Sequence, residues 1–263
     1  MKIRNWEAMM GDCLELMKSI PDGSIDAIIT DPPFWTTACK WDSVIPFEPM
    51  WKELKRIINT NWAIVLFGSE PFSSALRMSN IKQYKYDLVW EKTRSTDFMN
   101  SKNKICARHE NILIFSQWTT ANWSKRKMVF NPQMEEWKPY TRIMKTDPRV
   151  NTQWLRKKSM AWIILQNNWL RYPSSIIKIW NPNNNNVHPT QKPVELIEYL
   201  IKTYTNEWET VLDFTAWSGT TWVASQNTNR KFILIEKDEW YFNITCDRLT
   251  INQKRLDLLD NCI

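Results

Sequence analysis

Asp31-Pro32-Pro33-Phe34 follows the apolar run 25–30 without a spacer. Two consecutive prolines fix φ and stiffen the chain, so a carboxylate and a backbone carbonyl are held in a set geometry beside an aromatic ring. That combination suits a planar heterocycle bearing an amino group, with two acceptors for its N–H bonds and a ring to stack on its face. Taken alone, the tetrapeptide reads better as a strand followed by a rigid turn. A second cluster, Asp213-Phe214-Thr215-Ala216-Trp217-Ser218-Gly219-Thr220-Thr221, runs from the end of an apolar stretch through small residues into a helix start. Free N–H groups and hydroxyls at a helix N-terminus make an anion site. About twenty residues on, Glu236 ends another apolar run, the place of the acidic residue that bonds a ribose hydroxyl in nucleotide-binding α/β folds. The third cluster, His188-Pro189-Thr190-Gln191-Lys192-Pro193, leads straight into a helical pattern.

The elements that must position these clusters alternate. Short apolar runs predict strands at 25–30, 63–67, 111–115, 210–213 and 232–235, and helical patterns fall at 14–19, 50–58, 72–78, 194–204, 221–227 and 241–259. Such alternation is the signature of a largely parallel α/β sheet flanked by helices. In an open sheet of that kind ligands bind in the crevice at the carboxyl ends of the strands, where Asp31 and Asp213 both fall. Pro71 and Pro193 stand just before two helices, where a missing N–H costs nothing. Residues 181–186, five of them Asn, read as a linker, and no internal repeat is visible.

Together the three clusters resemble the amino-group DNA methyltransferases, which use S-adenosylmethionine and modify adenine N6 or cytosine N4. Asp31, Pro32, Pro33 and Phe34 match that family's catalytic Asp-Pro-Pro-Tyr/Phe, and residues 213–221 match its cofactor loop. The segment containing His188, Thr190 and Lys192 is similar to the one leading into the helix beside the cofactor's methionine part. Gly11-Asp12-Cys13 is similar to the segment whose acidic side chain contacts the cofactor's adenine. The order, catalytic motif before cofactor loop, is that of the family's β group. The resemblance covers about residues 5–115 and 186–250. It implies a Rossmann-like methyltransferase fold with S-adenosylmethionine as cofactor. Asp12, His188, Thr190, Lys192, Asp213, Phe214, Ala216, Trp217, Ser218, Gly219, Thr220, Thr221 and Glu236 are then the cofactor-binding residues. It further implies methyl transfer to N6 of a flipped adenine, because Asp rather than Ser stands at position 31; N4 of cytosine is the alternative.

Glycine and tryptophan usage is abnormal. An average of about 7% would give roughly 18 glycines, whereas the chain has 4 glycines and 17 tryptophans. Fourteen of the tryptophans stand in turn-like, loop or motif settings; Trp41, Trp51 and Trp90 do not. Asn61-Trp62, Asn122-Trp123 and Asn168-Trp169 read as Asn-Gly turns with the wrong second residue, because that slot needs tolerance of positive φ. Trp35, Trp217 and Trp222 stand where the resembled family has glycine. The expectation is that UGA codons meaning glycine were read as tryptophan. If Trp217 is genuine, its indole obstructs the cofactor, and a catalytically dead DNA-binding module is the alternative.

The net charge of +7 is uneven. Residues 92–178 hold 17 Lys and Arg against 5 Asp and Glu, a net of +12, which leaves −5 to the rest. Clustered cations interleaved with aromatics suit backbone phosphates, so double-stranded DNA is the expected partner, with Lys40, Arg94, Lys125, Arg126, Lys127 and Arg142 as candidate contacts. The expected organisation is a catalytic half at 1–115, an inserted target-recognition region at 116–182 and a cofactor-binding half at 183–263. Cys13, Cys39, Cys106, Cys246 and Cys262 are scattered, which disfavours a disulfide framework or metal site and suits a reducing cytoplasm. No apolar run approaches the roughly 18 residues of a membrane span, and no signal-peptide core is expected. The sequence leaves open a homodimer and a cognate restriction endonuclease.

Overall fold

The structure, a computed structural model, describes residues 2–3, 6–34, 43–96, 98–145, 162–167, 169–180 and 191–260. In chain order the elements are β1 (Lys2–Ile3), β2 (Trp6–Met10), α1 (Cys13–Leu16), β3 (Ile25–Thr30), α2 (Phe47–Ile57), β4 (Ile58–Gly68), α3 (Phe72–Ser79), β5 (Tyr84–Glu91) and β6 (His109–Phe115). There follow β7 (Glu135–Glu136), β8 (Tyr140–Lys145), β9 (Trp162–Asn167), β10 (Leu170–Arg171), β11 (Ile176–Ile177), α4 (Val194–Tyr204), β12 (Thr210–Asp213), α5 (Thr220–Asn227), β13 (Lys231–Glu236) and α6 (Glu239–Asp260).

The main unit comprises Met1–Asn131 and Ser175–Ile263 and carries a nine-stranded sheet in the order β1-β2-β13-β12-β3-β4-β6-β5-β11. From β2 to β4 neighbouring strands are parallel; β6 is antiparallel to both β4 and β5. This is the expected α/β class. Helices cover both faces. On one, Met50, Trp51, Leu54 and Ile57 of α2 pack with Ile28, Ile64 and Phe115. On the other, Leu196, Ile197, Leu200, Ile201 and Tyr204 of α4, at helical spacing, pack with Val65, Phe67 and Ile114. Each such fully buried Leu or Ile is worth about 1.5–3 kcal/mol. Covering on both faces is why β3 reads as an unbroken apolar run rather than an alternating one.

The topology creates the site. β3 passes the chain to β4 on one side, whereas β12, its other neighbour, passes it through α5 to β13 on the opposite side. The connections diverge between the carboxyl ends of β3 and β12, and a crevice opens at such a switch point.

Several elements differ from expectation. β5 alternates polar and apolar residues along an antiparallel pairing, and β2 is a half-buried strand; neither presents a long apolar run. Trp62 lies inside β4, buried among the α2 contacts, so Asn61-Trp62 is not the expected turn: the strand begins at Ile58 and carries the pair into the sheet. A second compact unit spans Pro132–Ser174, where β7 pairs with β10 and β8 with β9, both antiparallel. Residues 116–131 belong instead to the main unit, with Met128 in the core. The expected linker 181–186 lies outside the described residues. No described helix is long and apolar enough to cross a membrane.

Candidate active site

Thr30 ends β3 and Asp213 ends β12, and the two are joined directly. Thr30 Oγ1 donates to Asp213 Oδ1 at 2.6 Å, Thr221 Oγ1 to Oδ2 at 2.6 Å, and the Thr215 backbone N–H to Oδ1 at 3.2 Å. Burial raises the Asp213 carboxyl's pKa and these donors pull against the rise. A buried carboxylate engaged on both oxygens fastens the two strand ends to the first turn of α5; it organises the 213–221 turn rather than offering free acceptors. From that turn Thr215 Oγ1 reaches the Asp31 carbonyl oxygen at 3.0 Å, and Trp217 Nε1 donates to the same oxygen at 2.8 Å. The catalytic and cofactor segments recognised in the sequence therefore meet.

The Asp31 carboxylate is asymmetric. Oδ2 accepts from Lys192 Nζ at 2.5 Å, while Oδ1 is buried with no hydrogen-bond partner among the described residues. An unsatisfied buried acceptor costs about 1–3 kcal/mol, so Oδ1 marks where a ligand's donor belongs. Burial pushes the carboxyl up to about 6; Lys192 opposes the rise, and Glu110 and Asp213 add to it. The Lys192 ammonium lies 3.2 Å from Glu110 Oε2, and Glu110 also pairs with Lys92. Despite its burial Lys192 is held above the ordinary lysine range by the two carboxylates. Lys192 was expected at the cofactor; the structure puts it on Asp31, because a buried carboxylate needs a counter-charge. Glu110 was not anticipated. Its signal in the sequence is a single acidic residue opening the apolar run of β6.

On the other side of the turn a cavity of about 550 Å³ is lined by Asp12, Pro33, Phe214, Glu236 and Asp238, with Lys237 at its edge. Glu236 accepts the backbone N–H of Trp217 at 2.6 Å on Oε2 and that of Asp238 at 2.8 Å on Oε1, and burial pushes its carboxyl up to about 7. Asp12 caps α1 through the Leu14 N–H and receives Lys237 at 3.1 Å. Asp31 and Lys192 line a separate small cavity of about 30 Å³ with Gln191, Asp213, Ser218, Thr220 and Thr221. Trp217 lines both, and its indole N–H meets the Asp31 carbonyl.

Trp217 has φ of 49°, and Trp169 and Trp208 have 68° and 67°; among the described residues the other non-glycine with positive φ is Asn229. Bulky side chains are outliers in that region. Gly219 enters α5 at φ 75°, and the Trp222 indole lies so close above it that a Cβ there would stand 2.4 Å from Trp222 Cδ1. The Trp222 indole N–H is buried without an acceptor among the described residues.

The remaining expected residues divide. Pro32 is buried, and the Phe34 ring lies 5.5 Å from that of Phe72. Phe214 and Ala216 are buried beneath the turn, and Ser218 Oγ lies 3.3 Å from Gln191 Oε1. Trp35, Lys40, His188 and Thr190 lie outside the described residues. Arg94, Lys125, Arg126 and Lys127 are exposed on the main unit, with Arg126 over the Trp118 ring, and Arg142 is exposed on β8 of the second unit.

Comparison with known proteins gives consistent findings. The profile of the N6/N4 methyltransferase family, described as DNA methylase, matches residues 25–247. The chain is similar to type II methyltransferase M.HinfI of Haemophilus influenzae, 26% identical over 92% of this chain and 67% of that protein. It is also similar to type II methyltransferase M.HindIII of the same species, 27% identical over 75% of this chain and 66% of the relative. It thus spans about two thirds of the length of either. Among solved structures, the M1.HpyAVI–SAM complex superposes with a TM-score of 0.60 at 24% identity, covering 92% of this chain and 99% of that one. The PvuII DNA methyltransferase, cytosine-N4-specific, gives 0.62 at 16% identity, covering 93% and 86%. These likenesses show the fold, a helix-flanked and mostly parallel sheet.

Proposed function

The chain belongs to the DNA methylase family, and from that premise we propose that it is a site-specific DNA methyltransferase acting on the exocyclic N6 amine of a flipped adenine, with S-adenosylmethionine as methyl donor. The observation that carries this reading is Asp31 Oδ1, a buried acceptor without a donor, held beside the cofactor turn. Adenine's amine is a weak nucleophile because its lone pair is delocalised into the ring. Asp31 Oδ1 accepts one of its N–H bonds and the Pro32 carbonyl the other, which draws the nitrogen toward a tetrahedral shape and aims its lone pair; the proton that the nitrogen must shed once methylated passes to Asp31 or to water. Phe34 stacks on the base, which has left the duplex to enter the pocket. Alignment of the two reactants supplies much of the acceleration. No covalent enzyme intermediate is required.

The large cavity fits the cofactor chemically. Asp12, Glu236 and Asp238 bring acceptors for ribose hydroxyls and an adenine amine, and their negative character suits a sulfonium cation, with Pro33 and Phe214 as apolar walls. When bound, S-adenosylmethionine supplies an electrophilic methyl on that sulfonium. Double-stranded DNA is the proposed partner of the exposed basic residues, Arg94, Lys125, Arg126 and Lys127 on the main unit and, separately, Arg142 on the second.

Trp217 does not fit a cofactor that must reach Asp31, since it lines both cavities and its indole lies against the Asp31 carbonyl. We read positions 35, 217 and 222 as glycine in the working protein. The second reading, a DNA-binding module without catalysis, is favoured by the same indole if tryptophan is genuine. Calorimetric titration of S-adenosylmethionine into the chain as written and into its Trp35→Gly, Trp217→Gly, Trp222→Gly version separates the two: binding by the glycine version is expected, and binding by neither leaves the module. Nucleoside mass spectrometry of treated DNA tests the target: N6-methyladenine is expected, and N4-methylcytosine would transfer the reading to the other branch of the family.

A further inference from the structure

Four side chains of alternating charge run through the floor of the site: Lys92, Glu110, Lys192 and Asp31. They come from the end of β5, from β6, from the segment before α4 and from the end of β3, so no two are neighbours in sequence. The exposures of the four side chains run 16%, 11%, 7% and 13%, which places the whole chain of contacts away from bulk water. Buried charges persist when paired and hydrogen-bonded, and two cations against two anions leave this cluster neutral. We infer that Lys192 and Glu110 are positioning residues for methyl transfer. Lys192 pins Oδ2 of Asp31, Glu110 holds Lys192 from the opposite side, and Oδ1 is thereby left as the oxygen that meets the target amine. The inference rests on the proposed amine-directed chemistry of Asp31.

The geometry explains why the pin must be a charge fixed from two sides. Asp31 meets the turn after β12 through its backbone carbonyl, and among the described residues the hydrogen bond that holds its carboxylate is the one from Lys192. Lys192 has a flexible four-carbon stem, and its ammonium is held because Asp31 Oδ2 and Glu110 Oε2 bracket it at 2.5 Å and 3.2 Å and it lies over the Phe67 ring, 5.1 Å from the ring centre. Lys92, on the far oxygen of Glu110, keeps that carboxylate from turning away. The charged groups facing Asp31 are therefore Lys192 from the α4 approach, Glu110 from β6 with Lys92 behind it, and Asp213 from β12.

These contacts make opposite predictions for two variants. Lys192→Met removes the cation that favours the Asp31 carboxylate, and Glu110→Gln removes an anion that disfavours it while freeing Lys192 to pair with Asp31 alone. In the full chain, the Asp31 carboxyl is followed by carbon NMR against pH, assigned by its loss in Asp31→Asn. The midpoint is expected to rise to about pH 7 or above in Lys192→Met and to fall to about pH 5 or below in Glu110→Gln. Methyl transfer to DNA, measured in the glycine version of the chain, should lose about 100-fold in kcat in Lys192→Met with little change in KM for S-adenosylmethionine. Glu110→Gln replaces an oxygen by a nitrogen of nearly equal size, so the test stands even if the lysine variant does not fold. Unmoved midpoints, or midpoints that move in the same direction, would overturn the inference. Midpoints that move oppositely while no variant or parent methylates DNA would uphold the ion-pair chain and sink the proposed chemistry instead.

Discussion

The loop after β3 and the loop after β12 leave adjacent parallel strands at the same edge of the sheet, yet they are built with different success. Around Asp31 sequence and geometry agree: two prolines stiffen the corner, Lys192 neutralises the carboxylate, and of the two Asp31 oxygens Oδ1 is left without a hydrogen-bond partner among the described residues. Around 213–221 they agree as far as Asp213, whose oxygens are fully engaged, and then conflict. Trp217 sits in a left-handed conformation, and Trp222 crowds Gly219 with a buried N–H that has no acceptor among the described residues. At Trp217 the backbone takes a path suited to glycine, whereas Trp222 lies within α5 and conflicts through its crowding alone. The proposed reading of these positions as glycine accounts for the conflict at Trp217 and Trp222 in a chain with 4 glycines.

The contrast can be broken most severely at the second loop. Trp217→Gly with Trp222→Gly should tighten S-adenosylmethionine binding by about 100-fold, equivalent to about 2.7 kcal/mol, in a calorimetric titration; unchanged affinity would mean that the indole is not in the way. The first loop is sharpened by pH. Because the Asp31 carboxyl is raised to about 6, its acceptor form predominates at pH 7 and is lost as pH falls through 6. The kcat of the glycine version should therefore fall about tenfold per pH unit below that point. At the junction of the loops, Thr221→Val leaves Asp213 Oδ2 buried without its donor. A loss of about 1–3 kcal/mol is expected in urea unfolding. The smallest effect lies outside the site: Trp208, exposed at φ 67°, should gain about 1 kcal/mol of stability on Trp208→Gly, whereas destabilisation would argue that tryptophan is the residue this turn was built for.

Much of the fold was legible because buried parallel strands announce themselves as apolar runs. Ile25–Thr30 and Thr210–Asp213 were readable to the residue, and Val194–Tyr204 by its helical spacing behind Pro193. β5 was not, since Tyr84, Lys85, Tyr86 and Asp87 present no apolar run and its place is set by antiparallel pairing with β6. Within the site, Asp31 and residues 213–221 were legible as motifs. The partnership of Lys192 with Asp31 and Glu110 was not: it spans distant segments and is dictated by burial, which spacing does not encode. The tryptophans were legible as a class but not one by one. Trp169 occupies the positive-φ slot expected of it, while Trp62 turned out to be a buried strand residue.

The most direct test of the central claim is the transfer of labelled methyl from S-adenosylmethionine to duplex DNA by the Trp35→Gly, Trp217→Gly, Trp222→Gly chain, with and without Asp31→Asn. Label is expected in the DNA as N6-methyladenine, reduced about 10²- to 10³-fold in kcat by Asp31→Asn with cofactor affinity retained. Label undiminished by that change, or absent from DNA while the cofactor binds, would contradict the account.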